Sequence, residues 1–251
     1  MMPKGNNMAI NRLEFYSEKL QMNTRVNVIL PNQPKGTGKI LLLLHGLHDD
    51  ENSWIDQTRL VSYASKTQIT IIMPRADRSY YTNIVGGSQY FDYIADEVLQ
   101  RCRQWFNLPT DPDKCYVAGV SMGGFGALKV GLTHPNQFKQ IFALSAMPDI
   151  VRSWQNKPER DGWYRRLFGS PEQVIESDND IAYLISQQTT NAPAIWQLCG
   201  VEDPFYAMNQ TLDQQIKKQG LNHEFLEVPG AHEWGVWDPA IQQILEIIDQ
   251  A

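Results

Sequence analysis

The sequence contains few cysteines, and none of them stands in a metal or disulfide pattern. Only three occur among 251 residues, Cys102, Cys115 and Cys199, far apart and without a C-x-x-C pair. Neither a zinc site nor a disulfide framework is therefore indicated. Cys115 and Cys199 lie in apolar runs, where a thiol usually behaves as an inert part of the core. This pattern favours a reducing compartment.

Long apolar runs and runs of positive charge are absent as well. The longest apolar run, Ile40 to Leu44, is far too short to cross a bilayer, and the polar residues 1–11 lack the apolar stretch of a signal peptide. The 22 basic and 28 acidic residues give a formal net charge of −6. That balance argues against nucleic acid and anionic membranes as partners. We expect a cytoplasmic protein with a small-molecule substrate, and leave homodimer formation open.

Nucleotide-binding motifs are also missing. No Walker pattern occurs, and a G-x-G-x-x-G begun at Gly124 fails because Lys129 replaces the last glycine. The same stretch instead contains a G-x-S-x-G pattern at 119–123. It follows the apolar run Cys115–Ala118 and precedes apolar residues at helical spacing. Strand, tight turn and helix are the context in which this pattern presents a nucleophilic serine, Ser121.

The length and the apolar patterning predict an α/β fold as a single domain over residues 1–251. Near-continuous apolar strands alternate with helices, which indicates a mostly parallel sheet covered on both faces. An antiparallel pair at 12–16 and 25–30 is expected to open it, followed by a loop at 31–38. Residues 147–191 are longer than a simple crossover needs and are predicted to form an insertion or lid.

Four helices are predicted with definite bounds. They are Ile55–Ser65, Tyr90–Phe106, Tyr206–Gln219 and Pro239–Gln250.

Four predicted strands end in turns with chemically useful side chains, at 45–54, 119–123, 200–204 and 229–234. The carboxyl ends of parallel strands meet at one edge of a sheet, so these turns should converge. A serine hydroxyl needs a neighbouring base to become a nucleophile, and His232 is the candidate base. Asp203 is the candidate acid that orients it, because the order Ser, Asp, His is typical of this fold.

Alternatives to these assignments stay open. Glu202 and Asp213 are rival acids. His45 is expected to be a structural hydrogen-bonding residue and His223 a solvated one, while His134 is expected to cap the helix after Ser121. Attack on an ester creates an oxyanion, for which backbone N–H groups of Met122 and of the Gly46–Leu47 loop are the expected donors.

Five motifs in order resemble the esterase D branch of the α/β-hydrolases. They are Leu42–Trp54, Met73–Asn83, Gly119–Ala127, Cys199–Asp203 and Pro229–Trp237. The resemblance implies an α/β-hydrolase fold with Ser121 as nucleophile, Asp203 as acid, His232 as base, and Leu47 and Met122 as oxyanion donors.

The compact length and the His-Glu-Trp-Gly-Val-Trp segment look most like small bacterial tributyrin and feruloyl esterases. Gly46, Trp154 and Trp234 are candidate substrate-binding residues, with core packing as the alternative for both tryptophans. The resemblance implies a serine carboxylesterase for short acyl or hydroxycinnamoyl esters that works through an acyl-enzyme, with no metal and no organic cofactor. The alternatives are a thioesterase for S-formylglutathione, an acyltransferase, and a non-catalytic binding relative.

Overall fold

The computed structural model describes residues 8–31 and 38–251. Most of the predicted loop at 31–38 therefore lies outside the described residues. Eight strands form one sheet in the order β1-β2-β4-β3-β5-β6-β7-β8. The strands are β1 (Met8–Ser17), β2 (Met22–Pro31), β3 (Lys39–Leu44), β4 (Ile69–Pro74), β5 (Cys115–Val120), β6 (Gln140–Leu144), β7 (Ala194–Gly200) and β8 (His223–Val228).

The pairing confirms a mostly parallel sheet that opens with an antiparallel hairpin. Strand β1 pairs antiparallel with β2, and β2 pairs antiparallel with β4. From β4 through β3 and β5 to β8 every pairing is parallel. The turns after β3, β5, β7 and β8 therefore meet at one edge of the sheet, as the sequence predicted.

From β3 onward, helices join successive strands and cover the sheet. They are α1 (Ser53–Gln57), α2 (Leu60–Ala64), α3 (Tyr90–Asp92), α4 (Val98–Phe106), α5 (Met122–Thr133), α6 (Ile150–Gln155), α7 (Asp161–Phe168), α8 (Pro171–Val174), α9 (Ile181–Ser186), α10 (Tyr206–Gln219) and α11 (Trp234–Gln250). A π-helical segment, Tyr93–Glu97, joins α3 to α4. No helix within residues 8–31 and 38–251 is both long and apolar enough to cross a membrane.

Two apolar layers sandwich the sheet because side chains along each strand alternate between its faces. On one face, Leu42 of β3 belongs to the same buried cluster as Leu128 of α5 and Leu212 of α10. On the other face, Leu41 of β3 packs in a cluster with Ile241 of α11. Burial of one such side chain contributes about 1.5–3 kcal/mol to folding. All three cysteines, which fall within the described residues, are buried free thiols.

The helix predicted over Ile55–Ser65 is wrong as a single element. Two short helices, α1 and α2, replace it, with the break at Thr58 and Arg59. Two side chains take up backbone donors that a continuous helix would use. Asp238 accepts the Arg59 N–H at 2.8 Å, and the Thr58 hydroxyl accepts the Leu60 N–H at 3.1 Å. These bonds end one helix and begin the next.

The last helix also differs from its predicted bounds. Pro239 was predicted to begin it, yet α11 begins five residues earlier at Trp234. Pro239 lies inside the helix, where its missing N–H deprives the exposed Gly235 carbonyl of a hydrogen bond. The earlier start places Trp234 and Trp237 on the turn of helix next to His232.

The predicted insertion at 147–191 lies between β6 and β7 and holds the short helices α6 to α9. Its aromatic residues are largely internal: Trp154 stacks on Tyr164 with ring centroids 5.3 Å apart, and Tyr164 stacks on Phe168. That this segment acts as a lid, and that the chain is one domain, stay predictions.

A buried lysine ties this insertion to the helix that follows Ser121. Lys129 of α5 has no exposed surface, and its ammonium donates to Asn179 Oδ1 at 2.7 Å and to Thr82 Oγ1 at 3.2 Å. Asp178 lies 3.1 Å from the same nitrogen, and the ring of Phe91 lies 4.6 Å away. Burial disfavours the charged form and lowers the pKa of Lys129 to about 8, against the opposing attraction of Asp178.

Because the pKa of Lys129 is lowered, we predict that the free energy of unfolding rises with pH. Between about pH 8 and 10.5 the folded chain has lost this proton while the unfolded chain still binds it, so raising the pH favours folding. We expect wild type to gain up to about 1.4 kcal/mol per pH unit relative to Lys129→Met. Urea unfolding at pH 7.5 and 9.5 measures the difference. Lys66→Met, at an exposed lysine, should follow wild type, and parallel behaviour of all three proteins would contradict the assignment.

Candidate active site

Ser121 occupies the sharp turn between β5 and α5. Its backbone angles, φ 57° and ψ −115°, are ones that residues with a side chain rarely adopt. The turn is held by a hydrogen bond from its N–H to the Leu144 carbonyl at 2.9 Å and by one from the Phe125 N–H to its own carbonyl at 3.1 Å. The side chain is thereby lifted away from the strand.

The glycines of the motif are required by close backbone approach. A Cβ at Gly119 would lie 2.1 Å from the Gly123 carbonyl oxygen, and one at Gly123 would lie 2.5 Å from the Leu44 carbonyl oxygen. Real side chains do not approach backbone that closely, so α5 can sit against β3 and β5 only with glycine at both positions.

The structure brings the predicted serine, histidine and acid together. His232 Nε2 lies 3.0 Å from Ser121 Oγ, and His232 Nδ1 lies 2.7 Å from Asp203 Oδ2. The three residues come from the turns after β5, β7 and β8. A carboxylate only accepts hydrogen bonds, so the Nδ1 proton points to Asp203 and Nε2 is left free to accept the Ser121 hydroxyl proton.

Asp203 forms a second hydrogen bond that fixes its own orientation. It is 5% exposed, and its Oδ1 accepts the Phe205 N–H at 2.8 Å, just before α10 begins. The carboxylate therefore caps this turn and holds the imidazole at once. Of its rivals, Glu202 is exposed, and Asp213 pairs with Lys217 at 2.8 Å.

Two aromatic rings flank the imidazole. Phe205 and Trp237 stand nearly perpendicular to His232, with ring centroids 5.1 and 4.9 Å away. The indole N–H of Trp237 donates to Ser145 Oγ at 3.1 Å. The sequence analysis gave Phe205, Trp237 and Ser145 no role. Of these three residues, Trp237 alone lies in one of the five motifs, Pro229–Trp237, and this position was the only sequence feature that could have pointed to it.

The loop after β3 lies against Ser121, as predicted. A Cβ at Gly46 would lie 3.8 Å from the Cβ of Ser121. The Gly46 N–H is engaged by Asp49 Oδ2 at 3.1 Å, which leaves Leu47 as the next donor in the loop. Met122 is the first residue of α5, where an N–H has no partner within the helix. Both oxyanion candidates are therefore placed beside the serine turn by the backbone.

His45 is the structural residue that the sequence predicted. Its Nε2 accepts the Ala76 N–H at 3.0 Å, so its Nδ1 proton goes to the Gly46 carbonyl at 2.7 Å. Burial lowers the pKa of His45, which favours this neutral form. Tyr81, a residue that the sequence analysis left without a role, donates its hydroxyl to the His45 carbonyl at 2.8 Å. Together these bonds fix the loop that carries Leu47.

Two further histidines, His134 and His223, have structural roles, while His48 is exposed on the loop after β3. His134 ends α5, as predicted, and its N–H donates to Val130. The prediction of a solvated His223 is wrong: its side chain is 1% exposed and lies 3.2 Å from Gln197 Oε1 and 3.4 Å from Asp213. Desolvation lowers the pKa of His223. The prediction failed because β8 lies at the edge of the sheet, where a polar strand start looked exposed, while α10 covers this position.

The two candidate pocket tryptophans occupy different surroundings. Trp154 is buried in the insertion and donates its indole N–H to Asp161 at 2.9 Å. Trp234 is half-buried and packs edge-to-face on Trp54 and on Trp237, each at 5.1 Å. The ring of Trp237 therefore lies between Trp234 and His232. Contact of either tryptophan, or of Gly46, with a substrate stays a prediction.

One cavity of the structure lies away from Ser121. It measures about 630 Å³ and lies between α6, α9 and α10, where Ile150, Ile181 and Met208 are among its lining residues.

In the part of the chain that the structure describes, no group of three His, Cys, Asp or Glu side chains is placed to hold a metal ion.

The glycine packing yields a test of the serine turn. We expect Gly123→Ala to lower the free energy of unfolding by about 1–3 kcal/mol or more, because the new methyl group would overlap backbone oxygens of β3. Gly162→Ala is the control: a Cβ there meets no atom within 4 Å, and alanine in α7 should add up to about 1 kcal/mol. Urea unfolding measures both changes. Equal stability of the two variants would contradict the close packing.

Comparison with known proteins agrees with this geometry. A family model described as "Putative esterase" matches residues 17–248. An acetyl esterase of Caldicellulosiruptor saccharolyticus is 30% identical over 259 residues, which cover 95% of this chain and 97% of that protein.

Two Staphylococcus aureus proteins of known structure are similar in structure to this chain. They are an S-formylglutathione hydrolase (FrmB, apoenzyme) and a fluorophosphonate-binding serine hydrolase (FphF, substrate bound), with TM-scores of 0.87 and 0.88. Each is 29% identical, covering 96% of this chain and 98% of the other. The predicted fold and enzyme class, a carboxylic ester hydrolase, are confirmed: the chain belongs to the esterase family of the α/β-hydrolases.

Proposed function

We propose that this protein is a serine carboxylesterase for short-chain acyl esters, with Ser121, His232 and Asp203 as its catalytic triad. The observation that carries the proposal is the continuous hydrogen-bonded chain from the buried Asp203 through His232 to Ser121, at 2.7 and 3.0 Å. A serine hydroxyl with a base in bonding reach, and a base oriented by a third group, is the arrangement that nucleophilic catalysis requires.

In the first step Ser121 Oγ attacks the ester carbonyl carbon while its proton passes to His232 Nε2. Asp203 stabilises the imidazolium that forms and keeps its Nδ1 proton in place. The N–H groups of Leu47 and Met122 are the proposed donors to the oxyanion, and one such donor is worth about 10²–10³ in rate. His232 then protonates the leaving alcohol, and water releases the acid from Ser121 through the same base.

The preference for short acyl chains is supported by the related acetyl esterase, which aligns along nearly its whole length. The resemblance to feruloyl esterases keeps hydroxycinnamoyl esters among the proposed substrates. A thioesterase is the second candidate, favoured by the S-formylglutathione hydrolase that matches 96% of the chain. The same triad can attack a thioester, so the two candidates differ in the leaving group. Acyl transfer to an alcohol, a cytoplasmic location and a small-molecule partner stay predictions.

A graded substrate panel tests the proposal. We expect the highest kcat/KM on p-nitrophenyl acetate or butyrate and a decline with longer acyl chains, with methyl ferulate and S-formylglutathione run beside them. Ser121→Ala should lower kcat by at least about 10⁴ and abolish labelling by a fluorophosphonate, because the nucleophile is gone. A kcat of Ser121→Ala close to that of wild type would refute the triad, and a higher kcat/KM on S-formylglutathione would favour the thioesterase.

The role of the acid has its own test. Asp203→Asn keeps an oxygen to accept the Phe205 N–H but no longer holds the Nδ1 proton of His232, so kcat should fall by about 10⁴ with little loss of stability. Glu202→Gln removes the neighbouring, exposed carboxylate and should keep wild-type kcat. Steady-state kinetics on p-nitrophenyl acetate compare the two. Similar activity of both variants would argue against Asp203 as the orienting acid.

A further inference from the structure

Ser145 has an unusual backbone conformation directly after β6. Strand β6 ends at Leu144, because Ser145 turns to φ 45°. A residue with a side chain pays roughly 1–2 kcal/mol for this region, and it persists only where the surroundings hold it. Ser145 has no exposed surface, and its N–H donates to the Leu198 carbonyl at 2.7 Å.

The hydroxyl of Ser145 fixes the rotation of the Trp237 ring. Its Oγ accepts the indole N–H at 3.1 Å, and both side chains are buried. An indole N–H can only donate, and an unpaired buried donor costs about 1–3 kcal/mol. The Trp237 ring is therefore held in the orientation that reaches Ser145.

The same ring packs against the imidazole of His232. Its centroid lies 4.9 Å from that of the imidazole, with the two planes at 84°. The residue before Ser145 contacts Ser121 directly: the carbonyl of Leu144, at the end of β6, accepts the N–H of Ser121. Leu144 and Ser145 therefore link both ends of the proposed proton transfer. Leu144 binds the backbone of Ser121, and Ser145 reaches His232 through the ring of Trp237.

We propose that Ser145 and Trp237 form a positioning pair for His232. Their hydrogen bond holds the indole against the imidazole and keeps Nε2 directed at Ser121 Oγ. The inference rests on the proposed function, since the orientation of this ring matters to rate only if His232 transfers protons. Both residues act through His232, and so are positioning residues and not catalytic ones.

Proton transfer explains why such a pair is useful. One atom, His232 Nε2, takes the proton from Ser121 Oγ and then gives it to the leaving group, so the ring must stay aligned with two partners in turn. A misplacement of about 1 Å in such a site can cost 10²-fold in rate. Asp203 holds the imidazole at one atom, Nδ1, and this single hydrogen bond does not prevent the ring from tilting. The flanking rings of Phe205 and Trp237 limit that tilt.

A double-mutant cycle tests the pair. We expect Ser145→Ala and Trp237→Phe each to lower kcat on p-nitrophenyl acetate roughly tenfold with KM within about twofold of wild type. The double variant should be no slower than Trp237→Phe, because the hydroxyl acts through the indole N–H that phenylalanine lacks. Urea unfolding of the same proteins separates this effect from loss of stability.

Ser153→Ala is the matched control. Ser153 is another buried serine, and its hydroxyl bonds to the Tyr164 hydroxyl at 3.0 Å inside the insertion. Its removal should cost stability and leave kcat unchanged. If Ser145→Ala fails to fold, Ser145→Gly replaces it, since glycine adopts this φ freely and also lacks the hydroxyl.

Three outcomes would overturn the inference. They are wild-type kcat in the Ser145 variant, losses of the two single variants that multiply in the double variant, and an equal loss of kcat in Ser153→Ala. If wild type hydrolyses no ester, the proposed function fails and this inference with it. An active wild type with an unaffected Ser145 variant refutes the positioning pair alone.

Discussion

The close contact between α5 and the ends of β3 and β5 is the constraint on which the site depends. At Gly119 and Gly123 no side chain separates the helix from the strands, so the turn between them has room for one conformation. Ser121 must then adopt φ 57°, which turns its hydroxyl away from the sheet. The same contact sets the first N–H of α5 beside the Gly46–Leu47 loop. The position of the candidate nucleophile and that of the proposed oxyanion donors thus follow from one packing requirement.

Backbone strain gathers near this edge of the sheet and is offset there by hydrogen bonds. Besides Ser121 and Ser145, Asp77, Tyr80 and Tyr81 have φ between 47° and 51° in the segment that follows β4. Asp77 is fixed by Arg75 at 2.7 Å and by the Tyr90 hydroxyl at 2.6 Å, and Tyr81 by the carbonyl of His45. Strained residues persist only where such bonds over-determine them. These hydrogen bonds therefore hold the strained residues in place at this edge of the sheet.

The sequence predicted what local chemistry and chain order determine. Ser121, Asp203 and His232 were found because each follows an apolar strand and because their order is typical of the fold. The sequence could not reveal features that depend on distant partners. Arg59 gives its N–H to Asp238, which lies 179 residues away and breaks a helix that looked continuous by periodicity. Ser145 directly follows β6, and nothing in the local sequence distinguishes its φ of 45° from the extended backbone of its neighbours.

Side chains from both core layers contact the candidate base His232, whereas the candidate nucleophile Ser121 is held mainly by its backbone. Phe205 reaches the imidazole at the start of α10, whose apolar side belongs to one core layer, and Trp237 reaches it from α11, which belongs to the other. Asp203 reinforces the first of these contacts because one carboxylate binds both the Phe205 N–H and the imidazole. Loosening of either helical layer would therefore disturb the imidazole of the candidate base, while Ser121 is held by its backbone hydrogen bond to Leu144 of β6. The orientation of His232 thus depends on the packing of both core layers, because each layer supplies one of the two rings that contact the imidazole.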